Sequence, residues 1–213
     1  MRITVRLVLD TALIVATTLA ISCVQVSTSA PAKSSSNLEA KSNLQADEFA
    51  ANKVPLQLPL VQPKIMVSKS NRRLMLYSDG KLVRTYRVGL GLSPIEDKVK
   101  QGDRRTPEGE FYIFTKNDKS AYYLSLGVSY PNAEDAERGL RDGLINRKQY
   151  NQILNAIRKK ITPPQNTPLG GQIYIHGNGS QNDWTWGCVA LDDEDIRELF
   201  DAVPAGTPVI IEH

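Results

Sequence analysis

A mainly β domain with inserted helices is the fold class this sequence predicts, and three observations carry it. Apolar residues recur in two-residue steps through "KIMVSKSNRRLMLYSDGKLVRTYRVGLG", the period of strands with one buried face. Asp79-Gly80 falls between two such runs, and a two-residue hairpin turn needs positive φ at its centre. Helical signals are confined to two stretches, 133–160 and 192–203, each closed by proline and glycine breakers.

The folded unit is not the whole of the 213 residues. Arg2 and Arg6 precede an apolar run from Thr11 to Ile21, the layout of an export signal. That run is about eleven residues, well short of the roughly twenty that span a bilayer. Residues 1–23 are therefore expected to be a signal. "LAISC" offers a lipoprotein-type exit at Cys23, and "STSA" offers an ordinary cleavage exit at Ala30. Either exit removes Cys23 from the free thiols and leaves Cys188 as the sole free cysteine of an exported chain. Residues 24–60 are rich in Ser, Ala, Lys, Asn and Gln, with too little apolar surface to offset the entropy of ordering them. They read as a flexible linker, so the domain is expected over 61–213, long enough for one core. A net charge of +3 without any lysine- or arginine-rich block argues against a nucleic-acid partner.

Within the domain, Ile65, Val67, Leu74, Leu76 and Leu82 mark a β-meander. "GLSPIEDKVKQGDRRTPEG" is punctuated by glycine and proline and reads as a long structured loop leading into the strand "EFYIFTK". From Ala133 to Lys160, Tyr150, Ile153, Leu154 and Ile157 fall on one helical face of a one- or two-helix insert. Its place just before the next strand makes it a candidate lid. "QIYIHG" is that strand; Asp192 then precedes an acidic helix start, and "TPVIIE" closes the chain as a strand.

The stretch "IHGNGSQNDWTWGCVAL" concentrates the chemistry. It holds Cys188 and His176 twelve positions apart, and the other histidine, His213, is the terminal residue. A cysteine nucleophile needs a base, donors for an oxyanion, and access. His176 ends an apolar strand; Gly187 allows a sharp turn before Cys188, and backbone N–H groups around Gly187 point to an oxyanion site. The helix beyond Asp192 would add a favourable dipole, opposed by Asp192, Asp193 and Asp195. The bland alternative is a small buried cysteine and a chance histidine. Spacing alone leaves both open. One cysteine and one histidine are too few ligands for a structural zinc, and no metal or cofactor is expected. Trp184 reads as core or groove, and Trp186 as a groove wall.

These motifs resemble the L,D-transpeptidase catalytic domain (YkuD-like) family. The likeness rests on His176-Gly177, Gly187-Cys188-Val189, and the earlier Thr106-Pro107, Gly109 and Phe111, and it covers nearly all of Lys64 to Glu212. The chain departs from the common pattern at Trp186, where His or Arg usually stands, and at Ala190, where Arg or Asn does. Gly-Cys-x-Ala places it near a branch that includes the YafK-like proteins.

The resemblance implies a mixed β-sandwich or flattened barrel with inserted helices. It implies that Cys188 cleaves the diaminopimelate–D-alanine bond of a peptidoglycan tetrapeptide stem and passes the acyl group to an amine. That amine would be a stem amine, giving a 3→3 cross-link, or a lysine of a wall-anchored lipoprotein. His176 would pair with the thiolate or take its proton, held by the backbone carbonyl of Gly177, and Gly187 would serve as oxyanion donor. Asp183 competes as the ring's holder, the alternative being a loop brace. Trp186, Thr185, Ser180 and Asp183 are the candidate substrate contacts. A hydrolase on the same bonds and a non-catalytic wall-binding module are the alternatives. The expected setting is the periplasm, as a monomer, free or tethered through Cys23.

Overall fold

The computed structural model describes residue 52 and residues 54–213. The expected signal, Cys23 and most of the linker lie outside the described residues. The described end of that linker lies against the domain. Asn52 exchanges two hydrogen bonds with the backbone of Thr85 (3.0 Å each), and Leu56 and Leu60 pack on the core.

Eight strands form one sheet: β1 (Lys64–Ser68), β2 (Arg73–Ser78), β3 (Lys81–Arg87), β4 (Gly109–Ser120), β5 (Tyr123–Val128), β6 (Tyr174–His176), β7 (Val189–Ala190) and β8 (Pro208–Glu212). Their order across the sheet is β3-β2-β1-β8-β4-β5-β6-β7. Three helices accompany them: α1 (Ala133–Arg141), α2 (Arg147–Lys159) and α3 (Asp193–Ala202). The fold is mainly β, as the sequence predicts, with a curled sheet wrapped on one core.

The meander is antiparallel, with Ile65 opposite Leu76 and Val67 opposite Leu74. All four side chains are fully buried, which is the two-residue period made physical. Asp79 and Gly80 both take positive φ, +49° and +72°, as a primed turn requires. The closing strand β8 inserts between β1, to which it is parallel, and β4, to which it is antiparallel. It therefore lies inside the sheet and not at its edge.

Two irregularities in β4, at Ile113/Thr115 and Asn117/Ser120, interrupt its pairing with β5. Bulges bend a strand and re-aim what lies beyond them. What lies beyond is the hairpin tip at Tyr122, which reaches His176.

The predicted insert is two helices, each opened by a capping box, at Asn132 with Asp135 and at Asn146 with Gln149. Ala136, Ile145, Ile153 and Leu169 form a small core of their own. Arg138 donates to Lys98 O (2.7 Å) and pairs with Asp97 (2.9 Å), so the insert braces the loop before β4. The lid expectation does not hold. No residue of 133–160 lines either cavity beside Cys188, because the apolar faces of both helices are turned to their own core.

Candidate active site

The period of two decides what β6 presents. Ile175 is fully buried in the core, so Tyr174 and His176 project to the other face, where both line a cavity of about 500 Å³. β7 runs parallel to β6, with Val189 opposite Ile175 and Ala190 opposite His176. That pairing brings Cys188 to the same cavity. Gly187, just before it, holds φ +127°, and a Cβ there would lie 2.6 Å from Arg105 O. Only glycine fits that turn. Gly91 is equally committed, since a Cβ would meet Arg104 O at 2.2 Å. Its closeness lets the chain after β3 pair with Thr185 and hold the cysteine loop against the sheet.

The Cys188 thiol is half-buried, accepts the Tyr174 N–H at 3.4 Å and lies 3.5 Å from Gln172 O. Burial pushes it from an ordinary 9.0 up to about 11, against the opposing pull of the Tyr174 N–H and the Lys98 charge. His176 is 3% exposed, and its Nδ1 lies 2.8 Å from Gly177 O. A carbonyl can only accept, so Nδ1 carries the proton and Nε2 keeps its lone pair. Burial holds the imidazole below its ordinary 6.5, opposed by the Gly177 carbonyl. Thiol and imidazole share the cavity with no hydrogen bond between them, and both favour the neutral form at rest.

The other sequence-predicted residues divide. Thr185 lines the cavity, donates to Cys188 O (2.7 Å) and accepts the Gly187 N–H (3.1 Å). The Gly187 N–H, the expected oxyanion donor, is thus engaged by the Thr185 hydroxyl. Trp186 is 66% exposed, stands at the rim and carries the Arg104 guanidinium 4.6 Å over its ring. It also borders a second cavity of about 250 Å³, on whose wall Lys98, Gln172 and Cys188 appear.

Ser180 and Asp183 are not at the cavity, contrary to expectation. Ser180 is 1% exposed and bonded to Asp192 Oδ1 through N–H and hydroxyl (2.8 and 3.1 Å). Asp183 accepts from Arg72 Nε and Nη2 (3.0 and 2.7 Å) and from the Leu90 N–H (2.9 Å). Both side chains brace the loop, and neither is bonded to the imidazole. The start of α3 also serves this loop: Asp193 accepts the Asn178 N–H (2.8 Å), and a Cβ on Gly177 would meet that carboxylate. The carboxylates at its start are thus engaged by residues 178–180. His213 lies elsewhere, 3.1 Å from Ile95 O.

Tyr122, Tyr174, Gln172 and Lys98 escaped the sequence reading. The period of two in "QIYIH" could have found Tyr174 beside His176; nothing local marks Tyr122, which arrives through the bulged hairpin. Among the described residues no cluster of three or more metal-ligating side chains occurs, and no helix is long and apolar enough to cross a membrane.

Residues 62–211 match the family described as the L,D-transpeptidase catalytic domain, YkuD. No curated protein matches the chain in sequence. Among solved structures, the helical cell-shape-determining protein Pgp2 from Campylobacter jejuni is similar with a TM-score of 0.50 at 21% identity, over 78% of this chain and 54% of that one. An L,D-transpeptidase from Mycobacterium smegmatis gives 0.43 at 12% identity, over 71% and 59%. One from Xylanimonas cellulosilytica gives 0.43 at 17%, over 80% and 69%. The chain thus spans little more than half the length of the first and about three-fifths of the second.

Proposed function

The chain belongs to the L,D-transpeptidase catalytic-domain (YkuD) family, and on that premise we propose that Cys188 is the nucleophile, and His176 the base, of an acyl transfer on peptidoglycan stem peptides. The observation that carries the reading is the committed imidazole. With Nδ1 fixed on Gly177 O, only Nε2 can take a proton, and it belongs to a ring that shares its cavity with the thiol.

Burial disfavours the charged form of both groups, so on this reading the thiol proton moves to Nε2 as sulfur attacks. The carbonyl carbon of diaminopimelate gains the sulfur and its oxygen becomes an oxyanion. The C–N bond to D-alanine then breaks, and the leaving amine takes the proton from His176. A thioester remains. An incoming amine repeats these steps in reverse order and gives an amide, with water giving the hydrolysed stem instead. Thr185 holds the turn by bonding on both sides of Gly187, which fixes where the sulfur points. Trp186 walls the groove where the acyl chain lies. The expected signal over 1–23 and linker over 24–60 support a periplasmic setting for this chemistry, with the protein acting as a monomer on stem peptides or on a wall-anchored lipoprotein.

The test is incubation with purified tetrapeptide muropeptides, read by mass spectrometry beside Cys188→Ala. New dimers one D-alanine lighter than two monomers establish transfer. D-alanine released without dimers establishes hydrolysis. Unchanged muropeptides sink the stem-peptide reading.

A further inference from the structure

The β4–β5 tip makes a set of contacts that its own packing does not explain. Tyr122 lies outside the hydrophobic core and is 46% exposed, yet its ring stacks on His176 with centroids 4.6 Å apart and planes at 28°. Trp184 lies against both rings, edge-on to the imidazole at 5.5 Å and tilted to Tyr122 at 5.8 Å. Both aromatics are themselves fixed. The Gly177 N–H donates to Tyr122 O at 3.0 Å, and Trp184 Nε1 donates to Gly179 O at 3.0 Å. Tyr123, at φ +69°, turns its hydroxyl outward to accept from Arg197 Nε and Nη2 of α3 (3.2 and 3.0 Å). The tip is thus pinned on two sides, and the Tyr122 ring stands between a nearly inaccessible imidazole and solvent.

We propose that Tyr122 is a positioning residue: with Trp184 it fixes the plane of the His176 ring, so that Nδ1 stays on Gly177 O and Nε2 stays turned to the thiol cavity. Stacking restricts tilt and the edge contact restricts rotation, while the single Gly177 bond alone would let the ring swing about its axis. Covering the face of the ring also adds to its burial, which disfavours the charged imidazolium. The titratable groups around it are Tyr122 and Tyr123 on the hairpin, Cys188 across the cavity, and Asp192, Asp193 and Arg197 of the α3 end. The last three are engaged by Ser180, Asn178 and Tyr123. None of these groups is a hydrogen-bond partner of the ring.

The catalytic meaning rests on His176 being the base, as proposed above, but the ring can be read without any substrate. Full-length protein with isotope-labelled histidine is titrated by NMR as wild type, Tyr122→Ala and Tyr122→Phe, with His213→Gln to assign the two rings. Wild type is expected to show one neutral tautomer, protonated on Nδ1, titrating below 6.5. Tyr122→Ala is expected to show mixed tautomers and a titration moved up toward 6.5, and Tyr122→Phe restores both. Acylation of Cys188 by a thioester-forming stem peptide should fall roughly tenfold or more in Tyr122→Ala, the scale of a misplaced catalytic group.

A Tyr122→Ala protein that keeps one tautomer and the wild-type titration overturns the proposal. If that variant unfolds, Tyr122→Leu, which keeps bulk without a stacking plane, makes the same distinction. Ring changes as expected in a protein inert toward every stem peptide would uphold the role of Tyr122 and remove the transferase reading.

Discussion

Two halves of one loop treat their polar residues in opposite ways. Between Ser180 and Asp183 every polar side chain with a bond is turned into the frame: Ser180 to Asp192, Gln181 to Arg87, Asp183 to Arg72 and Leu90. Between Thr185 and Cys188 the chain turns to the cavities, and its one internal bond pair, at Thr185, shapes the turn itself. The difference teaches that closeness in sequence to a nucleophile is no guide to contact with its substrate. A carboxylate five residues from Cys188 is structural, and a tyrosine sixty-six residues away lies on the imidazole.

The comparison can be broken by substitution, beginning where the effect is largest. His176→Gln should lower Cys188 acylation per folded molecule by roughly 10²–10⁴-fold, the range for a lost general base. An equal loss from Asp183→Ala would break the division between frame and cavity. Asp183→Ala should instead cost about 2 kcal/mol in denaturant unfolding, because the buried Leu90 N–H and Arg72 lose their acceptor. Its acylation rate per folded molecule should fall far less than that of His176→Gln.

Two smaller effects sharpen the cavity side. Alkylation of Cys188 by iodoacetamide should keep rising with pH toward about 11, since burial disfavours the thiolate. The sign for stability follows from the same shift. The unfolded thiol ionises near 9.0 and the folded one near 11, so the folded state holds the proton longer and this contribution is lost as pH rises through that window. A rate that levels off near neutral pH would mean a thiolate held by imidazolium. The smallest expected change belongs to Trp186→Ala. At 66% exposure the side chain adds little to stability, so the outcome should be a few-fold rise in KM with kcat nearly kept.

The fold was legible where pattern is local. The alternation through Ile65, Val67, Leu74 and Leu76, the Asp79-Gly80 turn and the apolar face of α2 each needed only a window of neighbours. β5 carried no such signal. "YLSLGV" is buried at five of six positions, so alternation vanishes, and only its partners β4 and β6 define it as a strand. The contacts of Asn52, Leu56 and Leu60 with distant Thr85 and the core have no local signal either, because they depend on partners far along the chain.

By itself the sequence determined which groups have the chemistry: the Cys188 thiol and the His176 imidazole, set at the ends of a glycine-rich loop, with motifs in a family order. Only the tertiary structure decided which neighbours those groups have. Side-chain type is fixed by the gene. Tyr122 on His176, Asp183 on Arg72 and Thr185 across Gly187 are fixed by register, bulges and burial, which act through space between positions that no local pattern links.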